Sequence, residues 1–131
     1  MGGLDFSFSG LKTSILYRLQ KEKLKDDQFV KRELNNICAS VQKNIIDILM
    51  EKLLKAAHQT GIKQRAIAGG VSANSGLRVA LNDLAEQQDY EVYMPKLEYC
   101  TDNAAMIGVT AHFKFQLGEF ASMDVAPAAR L

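Results

Sequence analysis

The chain carries two cysteines in 131 residues, Cys38 and Cys100, and they form no CxxC pair. That excludes a disulfide framework and fits a reducing, cytoplasmic setting. Charge of neither sign prevails, since sixteen Lys and Arg against fifteen Asp and Glu leave +1. No global basic field marks a nucleic-acid binder, so any RNA contact must come from a local patch or another part of the protein. No apolar run reaches about 18 residues, and nothing reads as a membrane span. Residues 1–20 lack the charged, apolar and small-residue zones of a signal peptide. Repeats, linkers and low-complexity stretches are also missing. What is present is an ordinary globular balance of 47% hydrophobic and 24% charged residues, which excludes wholesale disorder. The length suits one domain or a piece of a larger one.

The opening Met1-Gly2-Gly3-Leu4-Asp5 reads as the mouth of a loop or an artificial start. Asp5 to Gly10 alternates apolar and polar residues, predicting a short strand or extended segment that ends at Gly10. Leu11, Ile15, Leu16 and Leu19 predict a helix from Leu11 to about Lys23, with a charged turn over Lys21–Asp27. Val30, Leu34, Ile37, Val41, Ile45, Ile48, Leu49 and Leu53 step by three or four. They predict one helix from Asp27 to His58, about 45 Å long at 1.5 Å per residue, stopped by Gly61. Such a helix needs a sizeable partner surface to bury its stripe.

Arg65–Ala68 reads as a short apolar strand, Ser72–Asn74 as the start of a helix carrying Leu77, Leu81 and Leu84, and Tyr90–Met94 as a second strand stopped by Pro95. After a loop over Lys96–Thr101, Thr101-Asp102-Asn103 opens a final helix through Ala105, Ile107, Val109 and Phe113. Residues 1–117 form the folded part, and the tail 118–131, with Pro127, is irregular. The class is α/β, helix-rich, with a thin sheet that reads as incomplete, its remaining strands expected upstream.

Two segments could carry chemistry. Ile67-Ala68-Gly69-Gly70-Val71-Ser72-Ala73-Asn74 puts two glycines between a strand and a helix N-terminus. Glycines let a ligand approach the backbone, the helix dipole favours an anion, and Asn74 can donate and accept. A tight strand-to-helix turn capped by Ser72 or Asn74 accounts for the same residues. The segment is neither a dinucleotide fingerprint nor a P-loop. Cys100-Thr101-Asp102-Asn103 offers a thiol and a carboxylate near a helix start. A metal wants three or more ligands, and the alternative is that Thr101 or Asp102 caps the helix while Cys100 is a small core residue. His58 and His112 lie on different helices, with no HxxxH or HExxH pair, and read as structural or exposed. Cys38, beside the apolar stripe, is expected in the core. Lys21, Lys23, Lys25, Lys31 and Arg32, interleaved with Glu22, Asp26 and Asp27, read as a solvated patch.

Taken together, Phe6-Ser7-Phe8-Ser9-Gly10-Leu11-Lys12-Thr13, the Ile67–Asn74 segment and Cys100-Thr101-Asp102-Asn103-Ala104-Ala105-Met106-Ile107 occur here in one order. The chain thereby resembles the C-terminal part of the TsaD (glycoprotease) family, over roughly Leu4 to Phe115. The resemblance implies the C-terminal lobe of an actin-like, sugar-kinase and heat-shock-chaperone type (RNase H-like) ATPase fold, with the N-terminal lobe absent. It implies a transferase that moves a threonylcarbamoyl group from threonylcarbamoyl-AMP to N6 of the adenosine next to the anticodon in tRNA. By the same resemblance Asn74, Gly69 and Gly70 contact the nucleotide, ATP or threonylcarbamoyl-AMP, and Asp102 is one ligand of a divalent metal, iron or zinc. The implied partners are tRNA, a TsaB-type paralogue and a TsaE-type ATPase, in the cytoplasm. The family's paired metal histidines have no counterpart here, so the chain alone is expected to be inactive, with an exposed apolar face that favours self-association. A metal-dependent endopeptidase, the family's older label, and a non-catalytic nucleotide-binding or interaction module are the alternatives.

Overall fold

The computed structural model describes residues 3–126. Met1, Gly2 and the tail from Pro127 onward lie outside the described residues, so the readings placed on them have no structural counterpart here. Among the described residues five helices and two strands follow one another: α1 Ser9–Lys25, α2 Phe29–Arg32, α3 Leu34–Thr60, β1 Gln64–Ala66, α4 Ser75–Gln88, β2 Glu91–Tyr93 and α5 Ala104–Gln116, with single 3-10 turns at Gly70–Ala73 and Leu97–Tyr99.

The alternating residues before α1 form no strand. Phe6 and Phe8, two apart, place their rings on one side with centroids 6.3 Å apart, while Leu4 and Phe6 lie along Leu49 and Leu53 of α3. An extended segment lying on a helix finds no β partner among the described residues, and α1 begins one residue before the expected stop at Gly10. The charged turn is shorter than Lys21–Asp27. Helix α1 continues to Lys25, and the reversal is built by Asp26, whose carboxylate accepts the Gln28 N–H at 2.9 Å.

The long helix is interrupted. At Glu33 the backbone departs to φ −100°, ψ 10°, separating α2 from a 27-residue α3. The Glu33 carboxylate accepts from Arg32 Nε at 3.1 Å and from Asn36 Nδ2 at 2.9 Å, one on each side of the break. The apolar stripe runs across it unchanged, so periodicity could not reveal it. Gly61 ends α3 as expected, at φ 70°, with its N–H bonded to the Ala57 carbonyl.

β1 and β2 pair in parallel, Arg65 opposite Val92, and α4 is the crossover between them. The core is small. Leu77, Leu81 and Leu84, one face of α4, are buried with Ala57 of α3 and Cys100. Gly76 lets the first turn of α4 approach α3 closely, because a Cβ there would stand 2.8 Å from Ile46 Cδ1. Most of the α3 stripe is half-buried, and Cys38, expected in the core, is exposed. It borders an open groove between α3 and α4 instead of facing a neighbour.

Candidate functional site

Both chemistry-bearing segments follow the carboxyl ends of the parallel strands, the edge at which open α/β sheets receive ligands. After β1 the chain passes through Gly69 at φ 80°, ψ 177°, a conformation open to glycine alone. Neither Gly69 nor Gly70 has any atom within 4 Å of where a Cβ would sit, so the backbone here faces open space. The turn is closed on its inner side by Ser72, buried, whose hydroxyl donates to the Gly69 carbonyl at 2.7 Å. Val71 is exposed beside it and ends an apolar groove of about 480 Å³ lined by Phe8, Leu11, Lys12 and Ile15 of the first signature segment and its helix, and by Ile45 and Leu49. The first and second signature segments therefore border one groove.

Asn74 caps α4, its Oδ1 accepting the Leu77 N–H at 3.0 Å, and its Nδ2 donates to Gln42 Oε1 at 3.3 Å. The structural role read from the sequence is thus real, and Oδ1 is occupied by the helix. Only Nδ2 retains donor capacity toward a ligand.

After β2 the chain turns through Cys100, which is buried. The cap of α5 is Asn103, not Thr101 or Asp102: its Oδ1 accepts the Met106 N–H at 3.0 Å and its Nδ2 donates to the Thr101 carbonyl at 2.8 Å. All three residues can cap in principle, and the extended φ −149° at Asn103 selects it. Asp102 is left exposed at the mouth of α5, its carboxylate bonded to no described residue. Among the described residues no three His, Cys, Asp or Glu come together. A zinc or iron centre takes three or more protein ligands, so the residues of this stretch do not by themselves fit one. His58 and His112 are exposed on α3 and α5.

Two arginines that pattern reading passed over shape this end of the fold. Arg78 of α4 donates from Nε to the Ser72 carbonyl at 2.6 Å, and from Nη2 to the Pro95 carbonyl at 2.6 Å and Cys100 Sγ at 3.3 Å. It joins the glycine turn to the loop that leads into Asp102. Arg65 of β1 is buried, with its guanidinium carbon 3.1 Å from the centroid of the Tyr90 ring. No sequence signal marks either, because their partners lie far along the chain. The basic patch on α1 and α2 is laced with acids, through Lys25–Glu22 at 3.0 Å, Lys23–Asp27 at 3.9 Å and the Arg32 pairs with Asp26 and Glu33. It reads as solvated surface, as expected. No helix among the described residues is long and apolar enough to cross a membrane.

The sequence profile of a family described as "TsaD: tRNA N6-adenosine threonylcarbamoyltransferase" matches residues 1–109. Proteins named "tRNA N6-adenosine threonylcarbamoyltransferase" are similar to the chain across nearly all of it. That of Riemerella anatipestifer is 56% identical over 128 residues, covering 98% of the chain and 38% of the relative. That of Christiangramia forsetii is 52% identical with the same coverage, and that of Cytophaga hutchinsonii 50% identical over 131 residues, again 38% of the relative. The chain thus spans little more than a third of the curated relatives it matches.

Proposed function

The chain belongs to the TsaD family of tRNA N6-adenosine threonylcarbamoyltransferases, and on that premise we propose that it is the C-terminal portion of such an enzyme. The reaction is transfer of threonylcarbamoyl from threonylcarbamoyl-AMP to N6 of the adenosine next to the anticodon of tRNA. The observation that carries the assignment within this stretch is the uncovered backbone of Gly69 and Gly70 at the carboxyl edge of a parallel strand pair. A nucleotide, ATP or threonylcarbamoyl-AMP, lies against these glycines, with Asn74 Nδ2 as the donor left over from capping. The dipole of α4 favours its phosphate.

Asp102 is the one residue of the stretch we assign to a divalent metal, iron or zinc, whose other ligands these residues do not contain. The fold is the C-terminal lobe of an actin-like, RNase H-like ATPase, and the setting is cytoplasmic. A TsaB-type paralogue and a TsaE-type ATPase complete the machinery. By themselves the 131 residues hold one wall of the cleft and one residue of the proposed metal site, so they are inactive, and their exposed apolar face drives self-association.

The test uses the full-length protein carrying this chain, with threonylcarbamoyladenosine in tRNA read by mass spectrometry and ATP affinity by calorimetry. Gly70→Ala meets no neighbouring atom, so its stability stays within about 0.5 kcal/mol of the parent. Affinity for ATP nevertheless drops about tenfold or more, because the methyl occupies the ligand's approach to the backbone. No modified nucleoside from the full-length protein supplied with tRNA, threonylcarbamoyl-AMP and both partner proteins would refute the reaction. Unchanged ATP affinity in Gly70→Ala would refute the pocket.

A further inference from the structure

The glycine turn and the Cys100–Asn103 loop are each held internally by their own hydrogen bonds. Ser72 is bonded to Gly69 through both its backbone N–H (2.9 Å) and its hydroxyl (2.7 Å). Cys100 bonds back to Leu97 through its N–H (3.2 Å) and to Lys96 through Sγ (3.5 Å). Among the described residues one side chain is hydrogen-bonded to both loops, that of Arg78. Its guanidinium points Nε at Ser72, two residues from Gly70 and two from Asn74. Nη2 points at Pro95 and at Cys100, two residues before Asp102. The three acceptors are two carbonyls and a sulfur, none of them a carboxylate, so Arg78 is not serving as the partner of an Asp or Glu. It lies half-buried, and a charged donor to such acceptors in that setting makes hydrogen bonds of the stronger kind.

We propose that Arg78 is a positioning residue that locks the glycine turn and the Asp102 loop into one unit, so that a nucleotide seated on the first is presented to the second at a fixed separation. The inference rests on the nucleotide reading of the glycine turn for its purpose, and on the three hydrogen bonds for its mechanism. The planar fork is what the geometry requires. Nε and Nη2, fixed in one plane, reach loops 6 and 17–22 residues away in sequence. A lysine ammonium, a single point of charge, can satisfy one loop but not hold both.

The test compares Arg78→Lys, Arg78→Gln and Asn74→Asp in the full-length protein carrying this chain. Amide hydrogen exchange is followed by peptide, the alkylation of Cys100 by mass spectrometry, and ATP affinity by calorimetry. Positioning predicts that both Arg78 variants speed exchange over 69–74 and alkylation of Cys100 together, by about tenfold. Exchange over Leu81–Leu84, the buried face of α4, stays as in the parent. ATP affinity falls in Arg78→Lys although the charge is kept. Exchange that rises uniformly through α4 would mean a merely structural role and overturn the proposal. So would one loop loosening without the other. If Asn74→Asp weakens ATP binding while Arg78→Lys does not, the nucleotide site survives and the positioning role is overturned. If the parent binds no ATP, the nucleotide reading fails, and the locking is then judged by exchange and alkylation alone, whose failure to move together overturns it.

Discussion

Arg65 offers the sharpest quantitative test of how this stretch is held together. It is 5% exposed, and none of its three guanidinium nitrogens has a hydrogen-bond partner among the described residues. The Tyr90 ring beneath it compensates in part, since a desolvated cation–π contact is worth about 2 kcal/mol. Burying the charge costs several kcal/mol even after relaxation. The balance is unfavourable, so replacing the charge by an apolar side chain of similar length is stabilising. Arg65→Met keeps the contact with Tyr90 and removes the unpaired donors, and the expected gain is about 1–3 kcal/mol. In urea, with a slope of about 1–3 kcal/mol per molar, that moves the unfolding midpoint up by roughly 1 M. The contribution of Tyr90 is isolated by a double-mutant cycle. Tyr90→Leu is expected to be about 1–2 kcal/mol more damaging in the parent than in the Arg65→Met background, the difference being the cation–π contribution. A midpoint that falls in Arg65→Met would refute this reasoning and show that the guanidinium has a partner the described residues do not supply.

Gly69→Ala should lose about 1–3 kcal/mol of stability although nothing stands near the new methyl, because φ 80° with ψ 177° excludes other residues; thermal unfolding of Gly69→Ala beside Gly70→Ala reads the difference as pure backbone strain. Asp26 has its carboxyl held below the usual range, first by the hydrogen bond from Arg32 and then by that from the Gln28 N–H. A folded-state value below the unfolded one means that its stabilisation is present above the ordinary carboxylate pKa, about 4, and is lost as pH falls through the depressed value. The destabilisation in Asp26→Asn, measured by denaturant titration, should therefore be seen at neutral pH, vanish on acidification and shrink with salt; a difference that persists below the depressed value would contradict the ion-pair origin.

Local chemistry was legible and long-range chemistry was not. Gly61 as the stop of α3, the Leu77–Leu81–Leu84 face and the two strands all depend on residues within a few positions of one another, and each was readable to within a residue or two, while the cap of α4 was narrowed to Ser72 or Asn74. Where several neighbours could do one job, the sequence left the choice open. Thr101, Asp102 and Asn103 can all cap a helix, and only the backbone at Asn103 decides. Cys38 fits an apolar stripe yet is exposed, because periodicity gives a face and not what covers it. The break at Glu33, flanked by its side-chain bonds to Arg32 and Asn36, leaves the stripe intact. The groove joining the first two signature segments, and the Arg78 link to the third, span tens of residues and follow no pattern.

The exposed surface bears on the setting of Asp102. The chain exposes 10528 Å², whereas a compact protein of its 14.5 kDa exposes about 6,900 Å². Much of what is uncovered is apolar, and α5 is the extreme case. Met106, Ile107, Val109, Phe113 and Phe115 are all exposed, and no residue of the helix is buried. A helix this rich in apolar side chains, broken only by Thr110, His112, Lys114 and Gln116, is expected to be covered. Asn103 caps that helix and Asp102 immediately precedes the cap, so any surface that encloses the first turn of α5 arrives beside Asp102. The exposed helix and the exposed Asp102 therefore share whatever surface covers the first turn of α5. The relatives, of which this chain covers 38%, are long enough to carry such a surface in their own sequence.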